Sequence, residues 1–594
     1  MKFFIQISQP STPRTTDKGD EHHRPIDIPA RRDFWLILLL FITFRAMALF
    51  AFRPGGLVLD FSDFYWYREF AQLTRQGYYP YVNLWTTYPP LFPYLMIGIW
   101  WVSTLLPPWE FPNLWFTLLL GGVFLLFEVG NLVLLYAIAT RMGDARDALR
   151  TVWFYGLLFV PVYTLTGWFE SYPLFFFLLG LYLLLRGRPL WSAVACGWGF
   201  MIKLIPVVLL PIGLRTPRTE KRLITLPYLN LRFDPLHAAL YVGAFALTVV
   251  LVGLPFYLLN SRLVWGSFVI SSARAPWETI WALLEGRYDY GIIPLDMRDL
   301  SWQPTAATGH LPWPLITLVF VAIFLFVYTR SVAWRQPRNV VAFAGFAVCL
   351  FMLYSKGYSP QWLGWVLVFI ALLLPNLRGV FYAVVSSWVN LIEANIFFIM
   401  VPDEHWLLIL TVGIRTLIFA MVGLECLFIL FPSWFSAQVQ RLWRHLLIGL
   451  AIALLVSGVG AGVRFVHAYF DVRYQLSPYR ATIDVLRAES QANMALILTS
   501  YDHRTYDWLY PFLRDRLAFY MLDDYAPPGD SVMTRTQALM DRIARQHREA
   551  WFFDNDPNER SPSEQAMGDW LATHAELENV RDIDGGRLYR FRLR

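Results

Sequence analysis

The chain is 594 residues long, 56% hydrophobic and 17% aromatic, with only 16% charged residues and a mean hydropathy of +0.42. This apolar content exceeds that of soluble globular proteins and predicts a polytopic α-helical membrane protein. The formal net charge is +6, but the Lys and Arg residues cluster in short loops between apolar runs, which is typical of cytoplasmic loops and argues against nucleic-acid binding.

Residues 1–33 form a polar tail that ends in Arg31-Arg32. About twenty apolar residues follow, enough to cross a bilayer, and no small-residue cleavage site comes after them. We therefore predict a cytoplasmic tail ahead of an uncleaved first span. The next apolar stretch, 90–106, is bounded by Pro-Pro pairs. Because a crossing there would place three basic loops outside, we predict that it is an interfacial or re-entrant helix within an outer loop, 54–113.

The later apolar runs complete a transmembrane module over residues 34–463, with a second long outer loop at 257–312. Together with the first span they give about thirteen transmembrane helices. This odd number places the C-terminal tail outside, and the basic loops then lie in the cytoplasm, as the charge bias requires. The predicted spans after the first are 114–139, 151–166, 171–185, 190–204, 206–214, 236–256, 313–329, 339–354, 360–374, 379–400, 406–431 and 445–463.

Residues 464–594 differ from the rest of the chain, since they are densely charged and contain no lysine. Strand-like runs alternate there with helix-like stretches, which predicts a small extracytoplasmic α/β domain. The predicted strands are 494–499, 517–521, 550–553 and 588–593, and the predicted helices are 480–490, 506–514 and 532–548.

The first outer loop carries two carboxylates, Asp60 and Asp63, next to the aromatic residues Tyr65, Trp66 and Tyr67. An acid in an outer loop is usually a solvated charge. Here the neighbouring rings lower the local dielectric, which favours a raised carboxyl pKa. We therefore predict that Asp63 is a general base, with Asp60 as the second candidate.

Other polar residues lie at the outward ends of the predicted spans and converge on the same face. Lys203 and Lys356 could equally be lysines that snorkel to the interface, and Asp403-Glu404-His405 is more typical of a loop than of a metal site. Arg45 and Arg415 lie inside spans, where a charge is costly and is usually paired or functional. The remaining outward candidates are Tyr88, Glu170, Arg274, Glu278, Tyr358 and Gln361.

Several motifs carry a family resemblance. Asp63-Phe-Tyr65, Gly77-Tyr-Tyr-Pro-Tyr81 and Tyr88-Pro-Pro-Leu91 resemble the opening of the GT-C glycosyltransferases, membrane enzymes that use polyprenyl-phosphate sugars. The resemblance spans residues 34 to about 375. It departs from the aminoarabinose transferases at Thr86-Thr87-Tyr88, where they have Glu-x-Lys before Pro-Pro, and from the protein-mannosyl transferases, which have Asp-Glu where this chain spaces Asp60 from Asp63. Three later motifs are similar to the polyprenyl-phosphate-mannose branch and to the aminoarabinose and protein-mannosyl transferases: Lys203-Leu-Ile-Pro206, Ala275-Pro-Trp-Glu-Thr-Ile-Trp281 and Ser359-Pro-Gln-Trp-Leu-Gly-Trp365.

The resemblance implies a GT-C-like fold and a mannosyltransferase-like enzyme of the plasma membrane with an outward-facing site. It implies that Asp63 takes the proton of an acceptor hydroxyl while the sugar is transferred with inversion. The acceptor is a lipid, a glycan or a protein. In the donor site, Lys203, Lys356 and Arg274 would hold the lipid phosphate, Tyr88 and Tyr358 would contact the sugar, and Glu170 and Gln361 would line the same site.

The chemistry of the donor and the positions of the cysteines indicate which cofactors the protein would need. A polyprenyl-phosphate sugar is already activated, so no nucleotide is required, and the sequence has no Gly-rich phosphate loop. Cys196, Cys349 and Cys426 all lie in apolar runs and provide neither a disulfide framework nor a C-x-x-C motif. No metal ligands are assigned, and a dependence on a divalent metal stays open.

The main alternative is a flippase or transporter of lipid-linked sugars, which also needs a groove and basic residues. Its site would lie near the middle of the bilayer, and Arg45 and Arg415 are the residues that favour it. The acids and lysines at one face favour the enzyme. A scaffold whose outer domain binds a partner would leave the outer acids unexplained.

Overall fold

A computed structural model describes most of the chain. The described residues are 28–51, 62–107, 114–216, 224–226, 231–289, 291, 309–398, 402–436, single positions between 438 and 452, 477–491, 494–499, 503–524, 531–555, 557, 560–583 and 586–594. The candidate base Asp60, residues 1–27 of the predicted tail and most of the predicted span 445–463 lie outside these residues.

The membrane module is helical. Within the described residues its helices are α1 Ile28–Ala51, α2 Phe64–Gln72, α3 Leu91–Ser103, α4 Leu114–Met142, α5 Ala145–Gly156, α6 Phe159–Leu165, α7 Ser171–Leu185, α8 Pro189–Phe200, α9 Leu209–Leu214, α10 Pro235–Ala273, α11 Ile280–Leu284, α12 Trp313–Tyr328, α13 Pro337–Tyr354, α14 Gly364–Leu373, α15 Leu377–Leu391 and α16 His405–Leu430. Short 3-10 turns precede α9 and α14, and a π-helical segment, Ile392–Phe397, continues α15.

Six of the described helices are long and apolar enough to cross a membrane, and the count reaches seven if α5 and α6, bent by 55°, form one broken span. The chain is therefore an integral membrane protein. Five further apolar helical segments have only 10–17 residues, α3 among them. The thirteen spans and their sidedness stay predictions, because several of the counted segments are too short to cross alone.

The predicted boundary between the span 236–256 and the outer loop 257–312 lies close to a break in a longer helical stretch. Helix α10 begins at Pro235 and reaches Ala273, so the first residues of the predicted outer loop are helical. The backbone breaks at Asn260, with φ −157° and ψ 92°. The Asn260 side chain accepts from the Leu263 N–H at 3.3 Å and caps the second half of the helix.

Helix α14 lies at the centre of the module. Its residues Trp365 to Leu373 are all buried, as expected of a helix that is apolar on every side and surrounded by others. The preceding 3-10 turn, Pro360–Leu363, brings the chain to the end of the bundle that carries Asp63 and Glu170. This arrangement fixes the Trp365 indole beneath that end.

The intramembrane Arg45 has an acidic partner in the bundle. Its Nε lies 3.7 Å from Oε1 of Glu128 on α4, and both side chains are almost fully buried. The same glutamate accepts a hydrogen bond from the Tyr155 hydroxyl at 3.0 Å. A buried pair with added hydrogen bonds can offset much of the cost of removing both charges from water.

The C-terminal residues form a five-stranded sheet covered by helices on both faces. The strand order is β4-β3-β5-β7-β6, with β4, β3 and β5 parallel and β7 and β6 antiparallel to their neighbours. The strands are β3 Met494–Leu498, β4 Leu517–Met521, β5 Glu549–Asp554, β6 Ala575–Ile583 and β7 Gly586–Leu593, and the helices are α17 Arg480–Glu489, α18 His503–Leu513, α19 Val532–Gln546 and α20 Pro562–His574. A separate hairpin, β1 Ile224–Leu226 and β2 Leu231–Phe233, lies in the membrane module.

The four predicted strands and three predicted helices of this region are confirmed to within a few residues. The sequence prediction missed α20 and β6. Strand β6 is mostly exposed, so its own sequence carries no buried apolar stripe. Its pairing with β7 and the ion pairs of Glu578 with Arg590 and Arg592 hold it in the sheet.

Candidate active site

Asp63 lies immediately before α2, where two segments of the chain meet. Its backbone N–H donates to the Gly167 carbonyl at 3.1 Å, which ties the start of α2 to the turn between α6 and α7. One helical turn later, the Tyr67 hydroxyl donates to Oδ2 of Asp63 at 3.2 Å. The i, i+4 spacing places both side chains on one face of α2. The residue as a whole is half-buried.

Burial raises the pKa of Asp63 to about 6. The Tyr67 hydrogen bond and the positive charge of Lys203 oppose this shift, whereas the nearby Glu170 adds to it. Removal of a carboxyl from water disfavours its ionised form, and donors or cations favour it. The balance gives a carboxylate that is ionised at neutral pH yet basic enough to accept a proton.

Glu170 and Lys203 form a buried ion pair next to Asp63. The Lys203 ammonium contacts Oε1 of Glu170, and the other carboxylate oxygen accepts from the Trp365 indole N–H at 2.8 Å. Lys203 also lies 4.6 Å from the ring centroid of Trp362 and 5.3 Å from that of Phe169. The two residues are thus brought together as predicted, with the charge of Lys203 largely balanced by its partner.

The proline-rich loop before α3 supplies one wall. The Tyr81 hydroxyl donates to the Tyr88 carbonyl, and the Leu91 N–H donates to the Met201 carbonyl at 3.2 Å, next to the turn that carries Lys203. Gly77 ends the preceding 3-10 turn with φ +85°, a conformation that glycine adopts without strain. The first motif group of the sequence therefore packs directly on the Lys203 motif.

An aromatic cluster borders the carboxyl. Phe92 and Phe169 are stacked, with centroids 3.9 Å apart and planes within 9°. Tyr88 makes edge contacts to both rings, at 5.4 and 4.8 Å, and Tyr67 contacts Phe92 at 4.8 Å. Burial raises the pKa of the Tyr88 hydroxyl, so it stays protonated and is a hydrogen-bond donor. Aromatic walls with a few polar groups are typical of ligand sites.

Arg274 and Lys356 lie in two chain segments whose backbones are hydrogen-bonded to each other. The Trp277 N–H donates to the Lys356 carbonyl and the Tyr358 N–H donates to the Trp277 carbonyl, both at 3.2 Å. The Arg274 guanidinium lies 3.9 Å from the Trp277 ring centroid and is close enough to Tyr88 to act on its hydroxyl electrostatically. The predicted motifs around Trp277 and Tyr358 are therefore joined in space.

Tyr358 and Gln361 border the Lys203 group through Trp362, whose ring centroid is 6.3 Å from that of Tyr358 and 4.6 Å from the Lys203 ammonium, whereas Lys356 lies against another ring. The Lys356 ammonium is 4.7 Å from the Trp313 ring centroid, and the charge acting on it is that of Glu285. The Tyr358 ring is buried and its hydroxyl donates to Oδ1 of Asn390 at 2.9 Å, so the ring has little surface for a sugar. Gln361 is half-buried in the 3-10 turn beside Trp362.

Sequence reasoning missed the network that supports this second group. Arg415 contacts both carboxylate oxygens of Glu393 at 2.5 Å, lies 3.8 Å from the Tyr358 ring centroid and donates to the Glu278 carbonyl. Glu278 has φ +50°, and burial together with Glu393 raises its pKa. The signal was available, because an acid and an arginine inside neighbouring apolar spans are expected to pair.

No group of three or more His, Cys, Asp or Glu side chains that could hold a metal ion occurs among the described residues. In the Asp403-Glu404-His405 cluster, Glu404 accepts from the Trp406 indole at 2.6 Å. The His405 ring stacks on Tyr288 with centroids 4.0 Å apart. These contacts give both side chains ordinary structural roles.

The fold and site together define an integral membrane protein with a buried acid–base pair, a cation and an aromatic wall at one end of its helical bundle. No protein-family model and no curated protein matches the chain.

Among solved structures, the chain is similar to ArnT from Cupriavidus metallidurans bound to undecaprenyl phosphate, with 13% identity, a TM-score of 0.36, and coverage of 95% of this chain and 98% of that one. It is also similar to the Archaeoglobus fulgidus oligosaccharyltransferase in its apo form, with 12% identity, a TM-score of 0.33 and coverage of 94% and 74%. The same organism's AglB in complex with an inhibitory peptide and a dolichol-phosphate gives 9% identity, a TM-score of 0.31 and the same coverage. At these TM-scores the likeness carries no conclusion about activity.

Proposed function

We propose that the chain is a membrane glycosyltransferase that moves a sugar from a polyprenyl-phosphate donor to an acceptor hydroxyl, with Asp63 as the general base. The observation that carries the proposal is the environment of Asp63. A carboxyl with a pKa of about 6 lies beside a protonated tyrosine wall and an ion pair, on a residue that is half-buried as a whole. Such a carboxyl can remove a proton from a hydroxyl as the hydroxyl attacks.

The proposed reaction is a single displacement. The acceptor oxygen forms a bond to the anomeric carbon while its proton passes to the Asp63 carboxylate. The bond between the anomeric carbon and the phosphate oxygen breaks, and its electron pair leaves with the polyprenyl phosphate. Attack from the face opposite the leaving group inverts the configuration, as it does in glycosidases that use one base without a covalent intermediate.

Negative charge develops on the leaving phosphate, so a cation must be close to it. Arg274 fits this role best, because it lies near Tyr88 and stacks on Trp277. Lys203 is held by Glu170 and supports the ionised form of Asp63. Lys356, at the Trp313 ring, is assigned to a more distant part of the donor.

A lipid-linked donor fits the position of the site. Helix α2 is amphipathic, with Tyr65 and Trp66 exposed and Tyr67 buried, and aromatic side chains of this kind favour the membrane interface. A polyprenyl tail would bind along the apolar helices by burial of its surface. An outward-facing site in the plasma membrane and a mannose-type donor follow from the predicted topology and the motif resemblance.

The flippase alternative loses its main support. It depended on Arg45 and Arg415 as charges inside the bilayer without a known partner. Each now has a buried glutamate as counter-charge: Arg45 Nε lies 3.7 Å from Glu128, and Arg415 donates to both carboxylate oxygens of Glu393. Neither arginine therefore requires a transported charge as its partner.

The experiment is a comparison of Asp63→Asn with wild type in transfer of radiolabelled sugar from polyprenyl-phosphate donors. Loss of the base should lower the rate by a factor of about 10² to 10⁴. Asp403→Asn is the matched control, because Asp403 is exposed and lies in the other acidic loop. Full activity in Asp63→Asn, or equal losses in both variants, would remove Asp63 from the mechanism.

A further inference from the structure

At the opposite end of the bundle, Arg215 is a buried cation with donors that have no acceptor. The residue is 7% exposed, and its Nε and Nη1 atoms are buried without a hydrogen-bond partner in the described part of the chain. Among the described residues, no carboxylate acts on its charge. An unpaired guanidinium removed from water is expensive, and buried polar groups are normally satisfied by a partner.

The walls around Arg215 are aromatic. Its guanidinium lies 5.2 Å from the Tyr328 ring centroid and 5.5 Å from that of Trp334. Phe343 closes the cluster, with its centroid 4.9 Å from Trp334 and 5.9 Å from Tyr328. The Tyr328 hydroxyl donates to the Pro211 carbonyl at 2.8 Å, which fixes the ring against α9.

Trp334 adds a third unsatisfied donor. Its indole Nε1 is also buried without a hydrogen-bond partner. Three N–H groups on two neighbouring side chains are therefore left without an acceptor among the described residues. Arg330, Arg335 and Arg338 of the same loop are exposed, and such a concentration of positive charge attracts anions.

This cluster is distinct from the candidate active site. Helix α13 has its last turn near Lys356 and its first turn near Trp334, and its 18 residues span roughly 27 Å at 1.5 Å per residue. Arg215 follows α9, whereas Lys203 precedes it. The two groups of residues thus lie at opposite ends of the same helices.

We propose that Arg215 and Trp334 form a binding site for a phosphate group at the end of the membrane module opposite Asp63. The planar guanidinium offers parallel donors that match phosphate oxygens, and the indole adds one more. At a membrane surface this phosphate can belong to a phospholipid headgroup or to a soluble phosphate compound. The proposal does not depend on the glycosyltransferase assignment.

The test measures the thermal unfolding of the full-length protein in detergent against increasing concentrations of three probes. These are phosphatidylglycerol, a diacylglycerol with the same acyl chains, and inorganic phosphate. A ligand that binds the folded state raises the unfolding midpoint in a saturable way. The variants are Arg215→Gln, Trp334→Phe and the control Arg186→Gln, an exposed arginine that also lies against a tyrosine ring.

We expect phosphatidylglycerol to stabilise the wild type and Arg186→Gln alike, and diacylglycerol to have no effect. Arg215→Gln should weaken binding about tenfold or more because charge-assisted bonds are lost. Trp334→Phe should weaken it about three- to tenfold because one neutral hydrogen bond is lost. The same pattern with inorganic phosphate, and not with the lipid, would assign the site to a soluble phosphate compound.

Equal stabilisation of all four proteins, or of none, would overturn the proposal. The aromatic rings and the C-terminus of α9 would then be sufficient to hold the Arg215 charge. If Arg215→Gln does not fold, Trp334→Phe decides the question, because it keeps the ring and removes only the donor.

Discussion

At Asp63, burial and hydrogen bonding act on the carboxyl in opposite directions. Burial raises its pKa to about 6, while Tyr67 and Lys203 limit the increase. The carboxylate is therefore less stable in the fold than in water but is still the main form at neutral pH. A carboxyl whose ionised form is disfavoured by burial in this way is typical of functional sites.

The pH dependence of transfer follows from this pKa. Asp63 must be ionised to accept a proton, so the rate should fall as pH decreases through about 6. At pH 5 roughly a tenth of the protein would carry the active form, against about nine tenths at pH 7. The measurement is the initial rate of transfer between pH 4.5 and 8. A rate that is flat across pH 6 would contradict the assignment of Asp63 as base.

The raised pKa of Asp63 also predicts that its ionised form, which transfer requires, makes the folded protein less stable. A folded-state pKa above the ordinary value of 3.8 means that the ionised carboxyl destabilises the fold above pH 6. Asp63→Asn should therefore unfold at the same temperature as wild type or higher at pH 7.5. The difference should disappear near pH 4. A clear loss of stability in Asp63→Asn at pH 7.5 would indicate that the carboxylate is held by contacts stronger than those described.

Lys203 gives a test of the ion pair. Lys203→Met leaves Glu170 buried with one hydrogen bond, which should lower the free energy of unfolding by about 3 to 5 kcal/mol. The double variant with Glu170→Gln should recover most of this loss. The exposed pair Arg150–Asp147 is the control, and Arg150→Met should cost less than about 1 kcal/mol. Thermal unfolding in detergent measures all of these variants, and similar losses for Lys203→Met and Arg150→Met would contradict a buried pair.

The sequence predicted Asp63 because aromatic neighbours along the chain already implied a dry environment. It could not predict that Glu170 would accept from Trp365, since the two residues lie 195 positions apart. Nor could it predict which of Lys203 and Lys356 lies next to Asp63, because both lie at helix ends and only tertiary packing determines their position.

At the scale of elements, the segment before α11 is held on two sides. Its backbone pairs with residues 356–358, and Arg415 on α16 donates to the Glu278 carbonyl. Glu278 adopts φ +50°, a conformation that costs a non-glycine residue free energy and is kept only when its surroundings impose it. These two sets of contacts, here called the clamp, hold the chain segment that follows Arg274.

Arg415→Met tests this clamp. The change leaves Glu393 buried next to the Glu278 carboxyl without a cation, and we expect a loss of about 3 to 5 kcal/mol in the free energy of unfolding. The double variant Glu393→Gln/Arg415→Met removes the stranded charge and should recover much of the stability. Its transfer rate should stay reduced, because the Glu278 carbonyl has still lost its donor. A double variant with full activity would show that the clamp does not position Arg274.

Helix boundaries were the least predictable feature at this scale. The predicted span 151–166 covers α5 and α6, which are bent by 55°, and the predicted span 236–256 ends shortly before the break at Asn260. The side chain of Asn260, which caps the second half of α10 and donates to the Val82 carbonyl at 3.3 Å, is a tertiary contact that a local pattern does not contain.

In the whole molecule, the C-terminal sheet has its own apolar core on each face. Alternate residues of β3 point to the two sides, Leu496 into one cluster and Ile497 into the other. Trp551 on β5 is fully buried and belongs to the first cluster. A sheet with its own apolar cluster on each face is typical of a domain with an independent core.

Trp551→Ala should lower the free energy of unfolding of this sheet by about 3 to 5 kcal/mol through the cavity that it leaves. Unfolding of the membrane module should be unaffected if the two cores are independent. Limited proteolysis, followed by identification of the cleavage sites, distinguishes the outcomes. New cleavage confined to the C-terminal residues is expected, and cleavage spread over the helical bundle would show that the cores depend on each other.

The most direct test of the central claim measures two products in one preparation. Wild-type protein in liposomes is supplied with radiolabelled polyprenyl-phosphate hexoses and pentoses together with an extract of acceptor lipids and glycans. We predict a labelled acceptor in the wild type, a loss of at least about a hundredfold in Asp63→Asn, and no movement of the donor between leaflets. Donor movement without labelled acceptor, unchanged in Asp63→Asn, would contradict the enzyme and establish a flippase.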